Sequence, residues 1–466
     1  MEAEQKALAI NLVPDIYGTL AEIGAGQETA RHFFRAGASS GTIAKTMSAY
    51  DKTYSDDIYG TEPSGRYVCE NRIYKMLDHE FDLLINRLSD SRPDTRFFAF
   101  ANTVAAINFS KTIKGDGWLG VRFQMKAGGA PNDLIIHARL LDKNNQLQQD
   151  AVGRLGVNLI YGCFFYNHNM DALVKSLLDG LEERVNVDLI RLNGPDFEEV
   201  DNRSLSFKLV NYGLSDIAMI GPDGNNLHPS EFLYKQHVLV VRGAFKPVTW
   251  MNYDIIKAAA TQYIAEHEIK EDQLVTLTEI TLDILAREHE PDESDFLERV
   301  AMLGHLGFIV CISSRGDQQK IIRYLEEFKA PAIGIALTAG YLARYLDHVI
   351  STYSTDGLLS QLGEMFTGSV RMYVYPSRIP GSTKVMTSAD IYMDQNIRYL
   401  YMYLLSSRQI IDILYYNPSV LKISASRVLR MIRDNKSGWE QFIPENIVHL
   451  IKDRHLLEYY PTRDSG

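Results

Sequence analysis

The 466-residue sequence predicts an α/β protein: an N-terminal α+β domain, a doubly wound parallel-sheet (Rossmann-like) region, and a helical C-terminal segment. Three observations predict it. From about residue 169, short apolar runs alternate with amphipathic helical segments, as strands buried on both faces do. Before that point, three strand-like runs are joined by links rich in Gly, Asn, Asp and Lys, which suits an antiparallel meander. Beyond residue 395 the pattern is helical. The length exceeds what one ordinary core serves, and we divide it as 1–168, 169–270, 271–395 and 396–466.

The elements follow in order. IYGTLAEIGAGQETARHFF (16–34) reads as an apolar run, a Gly-Ala-Gly turn and a helix start. Ile73, Leu77, Phe81, Leu84 and Leu88 recur at helical spacing. The meander strands are RFFAFAN (96–102), WLGVRFQ (118–124) and DLIIHARL (133–140), followed by a helix over NNQLQQDAVGRLGVNLIYG. The alternation then runs through helix MDALVKSLLDGL, strand VDLIRL, helix NRSLSFKLVNYG, strand DIAMIG, helix PSEFLYKQ and strand HVLVVRG. A helix near 253–268 leads to strand QLVTLTEI, helix SDFLERVAMLGHLG and strand FIVCIS. Helix DQQKIIRYLEEF, strand AIGIAL, helix GYLARYLDHV and strand VRMYVYP complete the set. Pro444 and Glu445 suit the start of the last helix.

Composition excludes several functions. Hydrophobic residues make up 45% and charged residues 23%, the balance of a soluble globular chain. A net charge of −11 argues against a nucleic-acid partner, since phosphate-backbone binding needs Lys and Arg in excess. Cys69, Cys163 and Cys311 are odd in number and far apart, which argues against a disulfide framework or zinc ribbon. The His-Glu pairs at His79, His267 and His289 lack a second His four residues on, so no metal site is expected, and His137 reads as a core or sheet-face residue. No apolar stretch reaches the ~18 residues that span a bilayer, and the start lacks a signal-peptide pattern. We therefore expect a cytoplasmic protein without a membrane partner. Residues 396–466 carry 10 Lys/Arg against 7 Asp/Glu, a net of +3, and seven of the 26 tyrosines. That composition suits a subunit contact in a homo-oligomer, or equally a helical cap on the sheet.

Two motifs bear on anion binding. In AEIGAGQETARHFF, Gly24 and Gly26 fit either a backbone cradle for a phosphate or carboxylate at a helix starting from Gln27, or simply a tight turn. A dinucleotide fingerprint needs a third small residue where Thr29 stands. In GASSGTIAKTMSAYD, a P-loop needs Lys directly after its second glycine, and Gly41 is followed by Thr42. The GxSxG match over 37–41 lacks the preceding strand a nucleophile elbow requires. Ser39, Ser40 and Gly41 then read as the cap of a second helix, with Lys45 one turn in and able to reach an anion, or merely solvated.

Further along, Gly-Pro-Asp turns follow two strands, at 194–196 and 221–223. Polar groups end three more: Ser313-Ser314-Arg315, Thr338-Ala339-Gly340 and Ser377-Arg378. Open α/β sheets collect ligands at such strand ends.

IYGTLAEIGAGQETARHFF, GTIAKTMSAYD, RFFAFANTV, GWLGVRFQ, GVNLIYG and IGPDG resemble, across nearly the whole length, a bacterial protein family of similar size. Its members carry the labels TonB-dependent receptor or nicotinate-nucleotide adenylyltransferase. The first label requires a closed barrel of alternating strands, and the second an HxGH-type motif near the start; the sequence has neither, and Gly304-His305-Leu306-Gly307 is not one. Cys311-Ile312-Ser313-Ser314-Arg315 resembles the later Ser-Ser motif of the adenylyltransferase superfamily, which implies a nucleotide.

The combined expectation is a protein that binds a phosphate-bearing small molecule, such as a nucleotide. Gly24, Gly26, Gln27 and Lys45 would supply anion contacts, and Asp223 and Arg315 ligand contacts at strand ends. The alternative is a non-enzymatic assembly protein. No nucleophile or general base stands out, so the catalytic residues, the cofactor and the reaction stay open.

Overall fold

The computed structural model describes residues 1–460 apart from 109, 111–113, 288–289, 315–317, 353–354, 368–369 and 380–381. The chain divides into two compact units, Met1–Ala218 and Met219–Gly466. Among the described residues no helix is long and apolar enough to cross a membrane.

The first unit is a six-stranded mixed sheet between helices. Its strands are β1 (Ile16–Gly24), β2 (Ile43–Ser48), β3 (Arg96–Ala105), β4 (Gly115–Gln124), β5 (Pro131–Leu140) and β6 (Val185–Asn193), in the order β2-β1-β3-β4-β5-β6. β1 runs parallel to β2 and β3, and β3 through β6 alternate in direction. Side chains alternate across the sheet and build two cores. Phe98 and Phe100 of β3 face the helices α1 (Ala3–Asn11), α2 (Thr29–Ala36) and α5 (Asn145–Phe165). Phe97, Ala99 and Ala101 face α4 (Glu70–Leu88), whose Ile73, Leu77, Phe81 and Leu84 are buried as their spacing predicts. Helices α3 (Lys52–Tyr59), α6 (Met170–Ser176) and α7 (Asn202–Asn211) complete the unit.

Two sequence expectations change here. Ile43–Ser48 is an edge strand rather than a capped helix, and Ser39–Gly41 is a single 3-10 turn before it. Residues 187–192 belong to β6, which pairs antiparallel with β5 in this mixed sheet instead of opening the parallel one. Periodicity reports burial, and it is silent on which neighbour a strand pairs with.

The second sheet has the order β18-β15-β14-β9-β10-β13-β7-β8. The strands are β7 (Ile217–Ile220), at the division between units, β8 (Asn226–Leu227), β9 (His237–Arg242), β10 (Leu274–Thr281), β13 (Ile309–Ser313), β14 (Ile333–Thr338), β15 (Val370–Tyr375) and β18 (Ile410–Asp412). Among the described residues two short antiparallel pairs lie outside it, β11 (Ala286–Arg287) with β12 (Glu290–Pro291), and β16 (Ser377–Arg378) with β17 (Val385–Met386). From β18 to β13 every pairing is parallel. With β9 as the first strand, the order along the sheet is 3-2-1-4-5-6, the doubly wound Rossmann arrangement, with the β7–β8 hairpin added outside β13.

The connecting helices are α8 (Trp250–His267), α9 (Leu282–Leu285), α10 (Glu293–His305), α11 (Gln318–Glu327), α12 (Ala339–Thr352) and α13 (Thr355–Met365). α14 (Gln395–Ser406), α15 (Ala425–Arg433) and α16 (Glu445–Arg454) make the C-terminal part mainly helical, though it also lends β18 to the sheet. The helix expected over PSEFLYKQ is only a 3-10 turn, Pro229–Glu231.

Candidate functional site

The glycine turn after β1 already holds a carboxyl group, and it is the protein's own. Glu22, Asn102 and Ser48 lie in one row across β1, β3 and β2. The buried Glu22 carboxylate accepts from the backbone N–H groups of Thr29 (3.1 Å) and Ala30 (3.3 Å), at the start of α2, and from Asn102 Nδ2 (3.1 Å). Helix N-termini favour negative charge, and an in-chain carboxylate satisfies that preference here. Burial pushes the Glu22 carboxyl up to about 7 in spite of these donors. Asn102 also donates to the Gly26 carbonyl (2.8 Å) and accepts from Ile23 N–H (3.3 Å), tying turn to sheet.

The glycines are required by this packing. A Cβ at Gly26 would collide with the Asn102 amide, and one at Gly24, where φ is +74°, with the Val104 carbonyl. Gln27 donates to Ser48 Oγ (2.7 Å) and lines an open groove of about 450 Å³ with Glu22, Arg31 and Arg35. Lys45 lines a different cavity of about 280 Å³, where its ammonium lies 2.6 Å from the buried Glu80 carboxylate, itself bonded by Tyr59 OH (2.8 Å). The structure therefore does not gather Gly24, Gly26, Gln27 and Lys45 around one anion. On strand β2, Lys45 is spent on Glu80 rather than facing a helix N-terminus.

The strand-end residues fare differently. Asp223 shapes its own β7–β8 hairpin, accepting from Asn225 N–H (3.0 Å) and Asn225 Nδ2 (2.7 Å). At the other Gly-Pro-Asp turn, Asn132 bonds Asp196 twice, through its backbone N–H (3.1 Å) and its carboxylate (2.8 Å). Arg315 and His289 lie outside the described residues. His137 is buried against Asp188 (2.6 Å); burial opposes its charge, yet Asp188 and Asp116 lift it to about 9.

Ser313, Thr338 and Ser377 are brought to one edge, because β13, β14 and β15 run parallel and each ends at or just before its polar residue. The sheet's direction of winding reverses between β9 and β14, and their C-terminal ends flank the crevice where doubly wound sheets bind ligands.

Two layers of chemistry occupy that edge. The floor is a buried ion pair that sequence reasoning missed. Arg242, last in β9, pairs bidentately with its register neighbour Glu279 (2.6 and 2.7 Å), and Ser313 Oγ donates to the same carboxylate (2.6 Å). Burial disfavours the guanidinium charge, but Glu279 and the Tyr341 hydroxyl hold it charged.

Above the floor is the start of α12. Thr338 Oγ1 accepts from Tyr341 N–H (3.2 Å), and Ser377 Oγ accepts from Gly340 N–H (3.0 Å). Each hydroxyl keeps its own proton to donate. A side chain at Gly340 would meet Ser377 Oγ at 3.5 Å and Arg344 Nη1 at 3.8 Å, so the guanidinium stands beside the same helix start.

No protein-family model matches the chain, and no curated protein does. Among solved structures it is similar to a competence/damage-inducible protein of Agrobacterium tumefaciens, at 16% identity over 34% of this chain and 93% of that one, with a TM-score of 0.25. A competence damage-inducible protein A of Klebsiella pneumoniae gives 11% identity, 36% and 99% coverage, and a TM-score of 0.27. A nicotinic acid mononucleotide adenylyltransferase of Plasmodium falciparum gives 10% identity, 48% and 98% coverage, and a TM-score of 0.29.

Proposed function

We propose that the protein binds a phosphate-bearing small molecule, a nucleotide, at the C-terminal ends of β9 and β14. The observation that carries this reading is the 3-2-1-4-5-6 strand order, whose switch point falls where two polarised hydroxyls and an arginine meet a helix start. In this reading Thr338 and Ser377 donate to phosphate oxygens, Arg344 supplies the charge, and Gly340 leaves the approach open. The Arg242–Glu279 pair holds the floor without touching ligand.

Isothermal titration with nucleoside monophosphates, diphosphates and triphosphates tests it. Binding at micromolar to millimolar concentration is expected, with Arg344→Ala and the Thr338→Val/Ser377→Ala pair each weakening it about tenfold or more. Wild-type affinities that both variants leave unchanged would remove the site from the crevice.

A second reading has one observation in its favour. On α14, Tyr399, Met402 and Tyr403 share one face and are 82%, 52% and 61% exposed, a stripe suited to a second copy of the chain. Light scattering should then give a discrete oligomer that Tyr399→Glu/Tyr403→Glu dissociates. A folded wild-type monomer at micromolar concentration sinks this reading.

A further inference from the structure

A cleft of about 360 Å³ lies between the first turn of α8 and the C-terminal segment of the second unit. Its aromatic walls are Trp250, Tyr253 and Phe442, and Asp254, Asn417 and Lys422 are among its polar lining. Trp250 is 39% exposed, whereas the other two tryptophans, Trp118 and Trp439, are 3% and 2% exposed. An indole left open in a concave site, with Tyr253 edge-on at 5.8 Å, offers a face on which a planar ring stacks.

The polar side of the cleft is built. Asp254 Oδ2 accepts from Tyr375 OH (2.6 Å) and from Asn417 N–H (2.9 Å), which fixes the carboxylate and leaves Oδ1 as an acceptor among the described residues. An acceptor beside an aromatic face suits a ring with an exocyclic amine.

Both the cleft and the start of α12 are tied to the end of β15. Tyr375 ends β15 and bonds Asp254, while Ser377, two residues on, bonds the start of α12.

We infer that this cleft takes the amino-bearing heteroaromatic base of the ligand, with Trp250 as stacking platform and Asp254 as acceptor. The inference rests on the nucleotide reading above and deepens it by naming the part of the ligand that confers selectivity. Trp250 stacks on the ring and Asp254 Oδ1 accepts from its amine.

The test compares adenosine 5′-monophosphate, adenosine and ribose 5-phosphate, by tryptophan fluorescence for the full-length wild type and by calorimetry for the variants. The wild type should bind the nucleotide at least tenfold more tightly than ribose 5-phosphate, with quenching of the exposed indole. Trp250→Leu should erase that advantage while leaving ribose 5-phosphate affinity unchanged, and Trp250→Phe should retain most of it. Equal affinity of the wild type for the nucleotide and ribose 5-phosphate overturns the base site and leaves the phosphate reading standing. So does a Trp250→Leu variant that still prefers the nucleotide. Binding of adenosine without any binding of ribose 5-phosphate overturns the phosphate reading and keeps the cleft. No binding of any of the three overturns both.

Discussion

Replacing Glu279 by alanine should destabilise the second unit by about 3–5 kcal/mol, because it strands the Arg242 guanidinium in a buried site without its counter-charge. The carboxylate is fully buried, carries both guanidinium bonds and receives Ser313 Oγ, so nothing nearby replaces it. Urea denaturation followed by near-ultraviolet circular dichroism measures the loss. The double substitution Arg242→Met/Glu279→Leu should recover most of it, since an apolar pair of similar volume needs no desolvation to be offset. Ser313→Ala should cost less, about 1–2 kcal/mol, as one hydrogen bond to a charged group is lost while the ion pair stays. A Glu279→Ala cost below about 1 kcal/mol would mean that water reaches Arg242, and the crevice floor would not be dry. Charge at these strand ends is thus neutralised within the floor, and in the proposed reading the hydroxyls and Arg344 are left to meet the ligand.

How much of this was legible in the sequence depends on whether the signal is local. The apolar runs of β9, β10, β13, β14 and β15 stand out because strands buried on both faces are continuous in sequence, and the shared edge of Ser313, Thr338 and Ser377 follows from their positions at the ends of those runs. β2 was not legible. As an edge strand it alternates exposed and half-buried residues, and Ser39, Ser40 and Gly41 before it read as a helix cap with Lys45 one turn in. Arg242 ends its apolar run in charge and Glu279 stands two residues before the end of β10, which are visible marks, but their partnership spans 37 residues and depends on strand order. The cleft at Trp250 is less local still: Asp254 meets Asn417 across 163 residues, and only the path of the C-terminal segment brings them together. At the first glycine turn the local signal was present in AEIGAG and was read for its glycines, whereas the acid two residues before them is what occupies the helix start.

That acid gives the second large effect. Glu22 has an ordinary carboxyl value of 4.5 and is lifted to about 7 in the folded protein, chiefly by burial. The native state therefore holds this proton more tightly than the unfolded chain. Its contribution to stability is fully present below about pH 4.5 and is lost as pH rises through 7. A lift of that size corresponds to about 3 kcal/mol between the two ends of the window. Comparing urea denaturation of the wild type and Glu22→Gln at intervals from pH 4.5 to 8 isolates this carboxyl from the other titrating groups. The wild type should lose about 3 kcal/mol relative to the variant over that range. A difference that does not change with pH would mean that Thr29 N–H, Ala30 N–H and Asn102 keep Glu22 ionised throughout. The same measurement bears on any anion at this turn. An incoming phosphate must displace a carboxylate from the N–H groups of α2, so inorganic phosphate should stabilise Glu22→Gln more than it stabilises the wild type. Gly26→Val cannot serve as the probe, because its side chain would strike Asn102 and unsettle the turn whether or not an anion binds.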